Sequence, residues 1–369
     1  MFSTPSEWHR SESRWNSTAG LCGVAIWAVF AALAGLRLAP FGIIELLFLF
    51  AALVIVPLGV ELTDRISQGS RSVFFHPLQA IAMLAVSLAF WLPPGKNAGA
   101  LSVPWLAVCA ALAYARLGPM RGRSGSKHSL LVDLGHFDLV LGSAWLVASR
   151  SGMRPLGFQE PILLLTAVHF HYGGFATALI AAATWNEFES KRLRMPGLQT
   201  LVWLVGLLPF VLAAGFVFSP ALRCAAAVSL SACVTALALI LWWVARTWTT
   251  APKIYLRAAS LAAVLAFSLA GLYACSESWH RDWITIAGMA NSHGLLNGMG
   301  FVLLGLLGWV LELHGRIEKQ EPAVGWHAET LEASRPSAVL APTGAKLARA
   351  QKLRGATAPD FLARDFYDR

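Results

Sequence analysis

The strongest constraint on this chain is a recurring apolar run close to membrane-crossing length. About 20 predominantly apolar residues in a helix span the roughly 30 Å hydrocarbon core of a bilayer. Ten segments approach that length, at about 21–38, 41–62, 77–92, 101–115, 130–149, 161–185, 201–218, 221–245, 256–275 and 284–313. The fourth is short, and a tilted or re-entrant path is open to it. The pattern predicts an all-α polytopic bundle of about ten transmembrane helices.

Composition agrees. The chain is 56% hydrophobic and 13% charged, whereas soluble domains are nearer 45–50% apolar and about 25% charged. This excludes a secreted disulfide scaffold, a nucleic-acid-binding domain and a soluble enzyme. The five cysteines lie in or beside apolar runs without paired spacing, so neither a disulfide framework nor a zinc site is indicated. No small-residue cleavage site follows the first run, so no removable signal peptide is expected.

The net charge of +9 reads as topology rather than as a partner signal. The odd-numbered connections hold only Arg37, Lys96, Arg150, Arg154, Arg223 and Arg281, and the even-numbered ones hold twice as many Lys and Arg. The tails are basic as well. Lysine and arginine collect on the cytoplasmic side, so both termini are expected there. The expected organisation is an N-terminal tail at 1–18, a helical domain at 19–315 and a disordered basic tail at 316–369. Within that tail, residues 345–355 have the pattern of a short basic amphipathic helix on anionic lipid, against a plain solvated tail.

Ionisable side chains inside a bilayer are costly and usually face the bundle interior or a cavity. Segments two, six and ten all start from the outer side in this topology. At about 1.5 Å per residue, Glu45 lies about 6 Å into segment two, His169 and His171 about 12–15 Å into segment six, and Asn291, His293 and Asn297 about 10–20 Å into segment ten. Three helices thus bring polar groups to the outer half of the membrane. In segment five, Asp133 and His136 share a face and read as a local pair. Asp138, about 12 Å deep, calls for a partner, for which a histidine of segment six is the candidate.

Helical phase limits the site. His169 and His171 are about 200° apart and cannot both face one small site on an unbroken helix. Tyr172 shares a face with His169, and Phe175 with His171. Gly173 and Gly174 invite a kink or a close helix contact. His293 and Asn297 share a face, while Asn291 lies near the line of Gly294 and Gly298. That glycine stripe means either close packing or a substrate slot.

Several chemistries are disfavoured. The single His-Phe-His lacks the repeated histidine boxes of membrane di-iron enzymes. Magnesium-binding Asp pairs and a phosphate-binding glycine loop are absent. Bis-histidine haem is geometrically open to His169 or His171 with His293, but no metal or cofactor is expected.

The runs Leu165-Thr166-Ala167-Val168-His169-Phe170-His171-Tyr172-Gly173-Gly174-Phe175 and Asn291-Ser292-His293-Gly294-Leu295-Leu296-Asn297-Gly298-Met299-Gly300-Phe301, with Glu45 and Pro57-Leu58 in segment two, resemble the YndJ-like family of bacterial membrane proteins. The resemblance spans segments two to ten. It implies a multi-pass bacterial membrane protein and carries no settled activity.

Three functional readings follow. The first is a membrane enzyme acting on a lipophilic small molecule by acid–base chemistry, such as isomerisation, epoxide opening or cyclisation. In it Glu45 or Asp138 is acid or base, His169 and His171 carry protons, Asn291 and Asn297 orient the substrate, and His293 is a further catalytic candidate. Tyr172, Phe175, Gly294 and Gly298 would line the substrate. The second is a small-solute transporter or permease using the same residues. The third is a structural protein, in which buried His and Asn only cross-link helices. Expected partners are the lipophilic substrate and membrane lipids, with no nucleic acid.

Overall fold

A computed structural model of the chain describes residues 22–67, 75–117, 127–281 and 283–320. Among these residues there is no strand. The helices are α1 (Cys22–Gly35), α2 (Ile43–Ser67), α3 (His76–Ala89), α4 (Lys96–Arg116), α5 (His128–Arg150), α6 (Ile162–Ser190), α7 (Leu198–Phe218), α8 (Pro220–Thr247), α9 (Thr250–Ser278) and α10 (Ile286–Ile317). Eight are long and apolar enough to cross a membrane, while α1 and α3 are shorter over the described residues. The fold is therefore the expected all-α polytopic bundle.

One segment differs from its sequence reading. The fourth run is a full helix of 21 residues. It starts straight after Pro93-Pro94-Gly95, on Lys96 and Asn97, which an apolar count leaves out. The expected tail also starts inside a helix, since α10 runs through Arg316 and Ile317. The amphipathic stretch at 345–355 lies outside the described residues.

Helices α2 and α6 form the centre. In each, 72% of the apolar window is buried within the protein, against 22% for α7. A helix that is apolar all round belongs in such a position. Both are interrupted by wider π-helical turns, at Ala51–Ile55 in α2 and Phe170–Ala176 in α6. Helix α10 has two more, at Ala290–Gly294 and Leu296–Leu303. In α6 the widened turn is bridged by Thr177 Oγ1, which donates to Tyr172 O at 2.9 Å. The π-helical parts of all three helices touch one another. Such turns are rare and frequently mark functional sites.

Small residues let α5 approach α6 closely. A Cβ on Gly174 would lie 2.7 Å from Asp138 Cβ, whereas one on neighbouring Gly173 would meet nothing within 4 Å. The two glycines thus have opposite roles: Gly174 is a packing contact and Gly173 faces open space.

The charge-rich end of the bundle is tied by ion pairs. Glu187 of α6, only 3% exposed, accepts two bonds from Arg316 at 2.6 and 2.8 Å and pairs with Lys191 at 2.7 Å. Arg65 of α2 pairs with Glu61 and reaches His314 of α10. Arg116 of α4 holds Asp133 of α5 at 3.0 Å and Ser67 of α2 at 2.8 Å. Asp133 therefore serves an interhelical pair with Arg116, and the His136 Nδ1 bonds to Val132 O.

Two stability predictions follow from this packing. Gly174→Ala is expected to cost about 1–3 kcal/mol by overpacking, while Gly173→Ala is neutral or gains up to about 1 kcal/mol of helix propensity. Thermal unfolding in one detergent checks the order. Arg316→Ala leaves the buried Glu187 with Lys191 alone and is expected to cost about 3 kcal/mol. Arg223→Ala, at a more exposed pair, should cost less than about 1 kcal/mol.

Candidate functional site

Toward the opposite end from these ion pairs, α6–α10 enclose a cavity of about 500 Å³. Its walls are mainly apolar, with Leu212 and Phe216 of α7, Leu230 of α8 and Met289 of α10. The first residues of α6 and α10 line it, as do the first turn of α8 and the last turn of α9. Its mouth is therefore at the end where α6, α8 and α10 begin. Arg223 and Glu277 stand there, paired at 2.7 Å, with Arg223 also over the Phe216 ring. The deep end is polar and is made by His169 and Tyr172 of α6 with His293 and Asn297 of α10.

The backbone fixes both histidines. His169 Nδ1 bonds to Leu165 O at 2.7 Å, one turn earlier on the same helix. His293 Nδ1 bonds across to Ala266 O of α9 at 2.8 Å, and its ring stands edge-on to Phe267. A carbonyl oxygen only accepts, so each Nδ1 carries the proton. In the neutral ring Nε2 then keeps its lone pair. The two imidazoles line one cavity.

Tyr172 ties the deep end together. Its hydroxyl donates to Leu47 O of α2 at 2.8 Å. Its ring lies against Gly298 of α10, where a Cβ would come within 3.1 Å. Gly294 allows a similar approach to Leu47, at 2.8 Å, and also lines the cavity. The glycine stripe of α10 thus seats α10 on α2 and α6. Asn297 is 9% exposed, lines the cavity, and its Oδ1 has no hydrogen-bond partner.

The other expected site residues lie elsewhere. His171 is fully buried and uses both ring nitrogens: Nδ1 bonds to Ala167 O at 2.7 Å, and Trp105 Nε1 donates to Nε2 at 3.1 Å. Trp105 also stacks on the ring and Phe48 meets it edge-on. It cross-links α6 to α4. Phe175, on the same face, packs against His136. Glu45 is half-buried near the end of α5, with Arg150 as its nearby opposite charge. It is two residues from the cavity-lining Leu47 and so about 200° away around the helix. Asn291 is exposed and its amide donates to Ala287 O.

Asp138 corrects an expectation. Its side chain is 0% exposed, and neither carboxyl oxygen has a hydrogen-bond partner. No histidine of α6 bonds to it, and both ring nitrogens of His171 are used elsewhere. Gly174 packs there instead.

Sequence reasoning missed the α7–α9 wall. It counted Arg223 only as a loop charge and passed over Tyr273 and Glu277, which share a face at i, i+4 in the last turns of α9. Among the described residues, no three His, Cys, Asp or Glu side chains gather as a metal site.

Fold and cavity together define a multi-pass α-helical membrane protein with a mainly apolar pocket inside the bundle, polar at its deep end. A family model for YndJ-like proteins matches residues 46–301, and the chain belongs to that family. It is 29% identical over 172 residues to membrane protein YndJ of Bacillus subtilis (strain 168), a match covering 46% of this chain and 31% of that relative. The chain therefore matches under a third of the length of that curated relative. No solved structure matches.

The His171 assignment yields a prediction. Trp105→Phe keeps the ring stacking but leaves Nε2 unpaired, and is expected to cost about 0.5–2 kcal/mol of stability. His169→Phe, at a cavity wall, should cost less. Unfolding of the two variants in the same detergent checks the order.

Proposed function

We propose that this protein is an integral membrane enzyme that acts on a lipophilic small molecule by acid–base chemistry in the α6–α10 cavity. The observation that carries this reading is the pair of imidazoles that line one mainly apolar chamber, each anchored through Nδ1 with its Nε2 left unbonded. An anchored imidazole takes or returns a proton at Nε2 without reorienting. Asn297 and Tyr172 stand beside them as orienting groups, and the apolar walls suit a hydrocarbon body. Glu45, Asp138, His171, Phe175 and Asn291 have no part in this chemistry.

The charge asymmetry of the connections supports placing the protein in the plasma (inner) membrane of a bacterium, with the cavity opening on the non-cytoplasmic side. Transport is the second reading. One observation favours it: the cavity opens toward one end while ion pairs lace the other, as in one state of an alternating carrier.

Turnover of a membrane lipid extract by the purified protein tests the enzyme. His169→Ala and His293→Ala are each expected to lower turnover about 100-fold or more, whereas Asn291→Ala leaves it unchanged. Equal turnover by wild type and both histidine variants would sink the assignment. Gradient-dependent uptake into vesicles, with the solute recovered unaltered, would replace it with transport.

A further inference from the structure

We infer that the polar end of the cavity's ligand is a hydrogen-bond donor, an alcohol or amine on a lipophilic body, rather than a ketone, epoxide, ether or ester. The inference rests on the cavity being the site, and it names the substrate class.

The argument is an inventory of protons. Nearly every side-chain donor along the inner wall is already bonded to a backbone carbonyl. Thr166 Oγ1 donates to Ile162 O at 2.7 Å. Tyr172 donates to Leu47 O, and the Cys224 thiol points at Ala274 O at 3.5 Å. The ring N–H of His169 is used on Leu165 O and that of His293 on Ala266 O. What these groups leave to the cavity is lone pairs: Nε2 of His169, Nε2 of His293, the Tyr172 oxygen and the Thr166 oxygen. Asn297 adds a buried Oδ1 with no partner.

Other donors stand at the mouth, where Arg223 is paired with Glu277 and Trp145 packs edge-on to Phe158. Among the described side chains, the Asn297 amide is the deep-end donor not bonded to a carbonyl, and the Tyr273 hydroxyl is a further donor on the α9 wall. A ketone or epoxide oxygen pushed to this floor would find the Asn297 amide among several acceptors and lose most of its hydration. A hydroxyl or ammonium group would instead donate to Nε2 of either histidine. It would also present its proton to Nε2. The imidazole can then take that proton as general base while the oxygen or nitrogen forms its new bond to carbon, and the imidazolium gives it to the atom whose bond to that carbon breaks.

The test uses four probes with matched ten-carbon-scale bodies: decanol, decylammonium, decyl methyl ether and methyl nonyl ketone. The full-length protein is reconstituted in lipid nanodiscs with nitrogen-15 histidine. Binding is read by equilibrium dialysis, and the site by the Nε2 resonances, assigned with His169→Phe and His293→Phe. The alcohol and the amine are expected to bind about ten-fold or more tighter than the ether and the ketone and to shift Nε2 of both histidines. In the double Phe variant, which keeps only the Tyr172, Thr166 and Asn297 oxygens as acceptors, that preference should weaken several-fold.

Equal binding of all four, still shifting Nε2, would overturn the donor rule and leave the cavity as the site. Preference for the ketone or ether would do the same. If no probe shifts Nε2 in the wild-type protein, the reading of the cavity as the site falls, and the donor rule with it. The ligand series needs only the wild-type chain, so a variant that misfolds does not blunt it.

Discussion

The Tyr172 hydroxyl bond to Leu47 O is the interaction on which the rest of the site depends. It crosses from α6 to α2, and its ring occupies the groove that Gly298 opens in α10. Three helices meet at this one side chain. Each departs from regular α geometry at that level. Inside hydrocarbon every backbone polar group must find a partner within the protein. Widened turns disturb the usual pairing, and in α6 the Thr177 hydroxyl supplies a donor to Tyr172 O. The same economy fixes the histidines, since carbonyl oxygens with a second lone pair receive their Nδ1 protons.

Much of the fold was legible because membrane helices advertise themselves by length and apolarity, and those signals survive without tertiary context. The site was legible in part. Phase around a helix separated His169 from His171 and paired each with the correct neighbour, Tyr172 or Phe175. It does not tell which face meets a cavity and which meets the core. That depends on Trp105, 66 residues away in sequence, whose indole N–H occupies the second nitrogen of His171. Similarly, depth placed Glu45 near the cavity, but the phase between residues 45 and 47 turned it away. The α7–α9 wall was hidden for a simpler reason: apolar wall residues look the same whether they face lipid, a neighbour or a chamber.

Asp138 shows where the search for partners fails as a rule. A deep carboxyl in an apolar helix reads as one half of a pair, since an isolated buried charge is costly. Here it is enclosed by the close α5–α6 contact at Gly174, outside the cavity and away from the histidines' free nitrogens. Its enclosure comes from small residues on the facing helix, which a search for charged or polar partners passes over. Depth and chemistry identified an unusual side chain, and packing decided its company.

The cavity's asymmetry bears on what the proposed site does. Below Tyr172 and Asn297 the bundle is filled by Phe175 and Phe301, both 0% exposed, and beyond them Glu187, Arg316, Arg65 and His314 hold α2, α6 and α10 together. A carrier would have to break these bonds and empty that core in each cycle. Both sets join the same helices that hold the imidazoles, so opening them would also disturb the Tyr172 contact. An enzyme asks for none of this. The proposed enzyme needs a chamber reached from one side and anchored imidazoles in it, and the helices place both His169 and His293 on one such chamber.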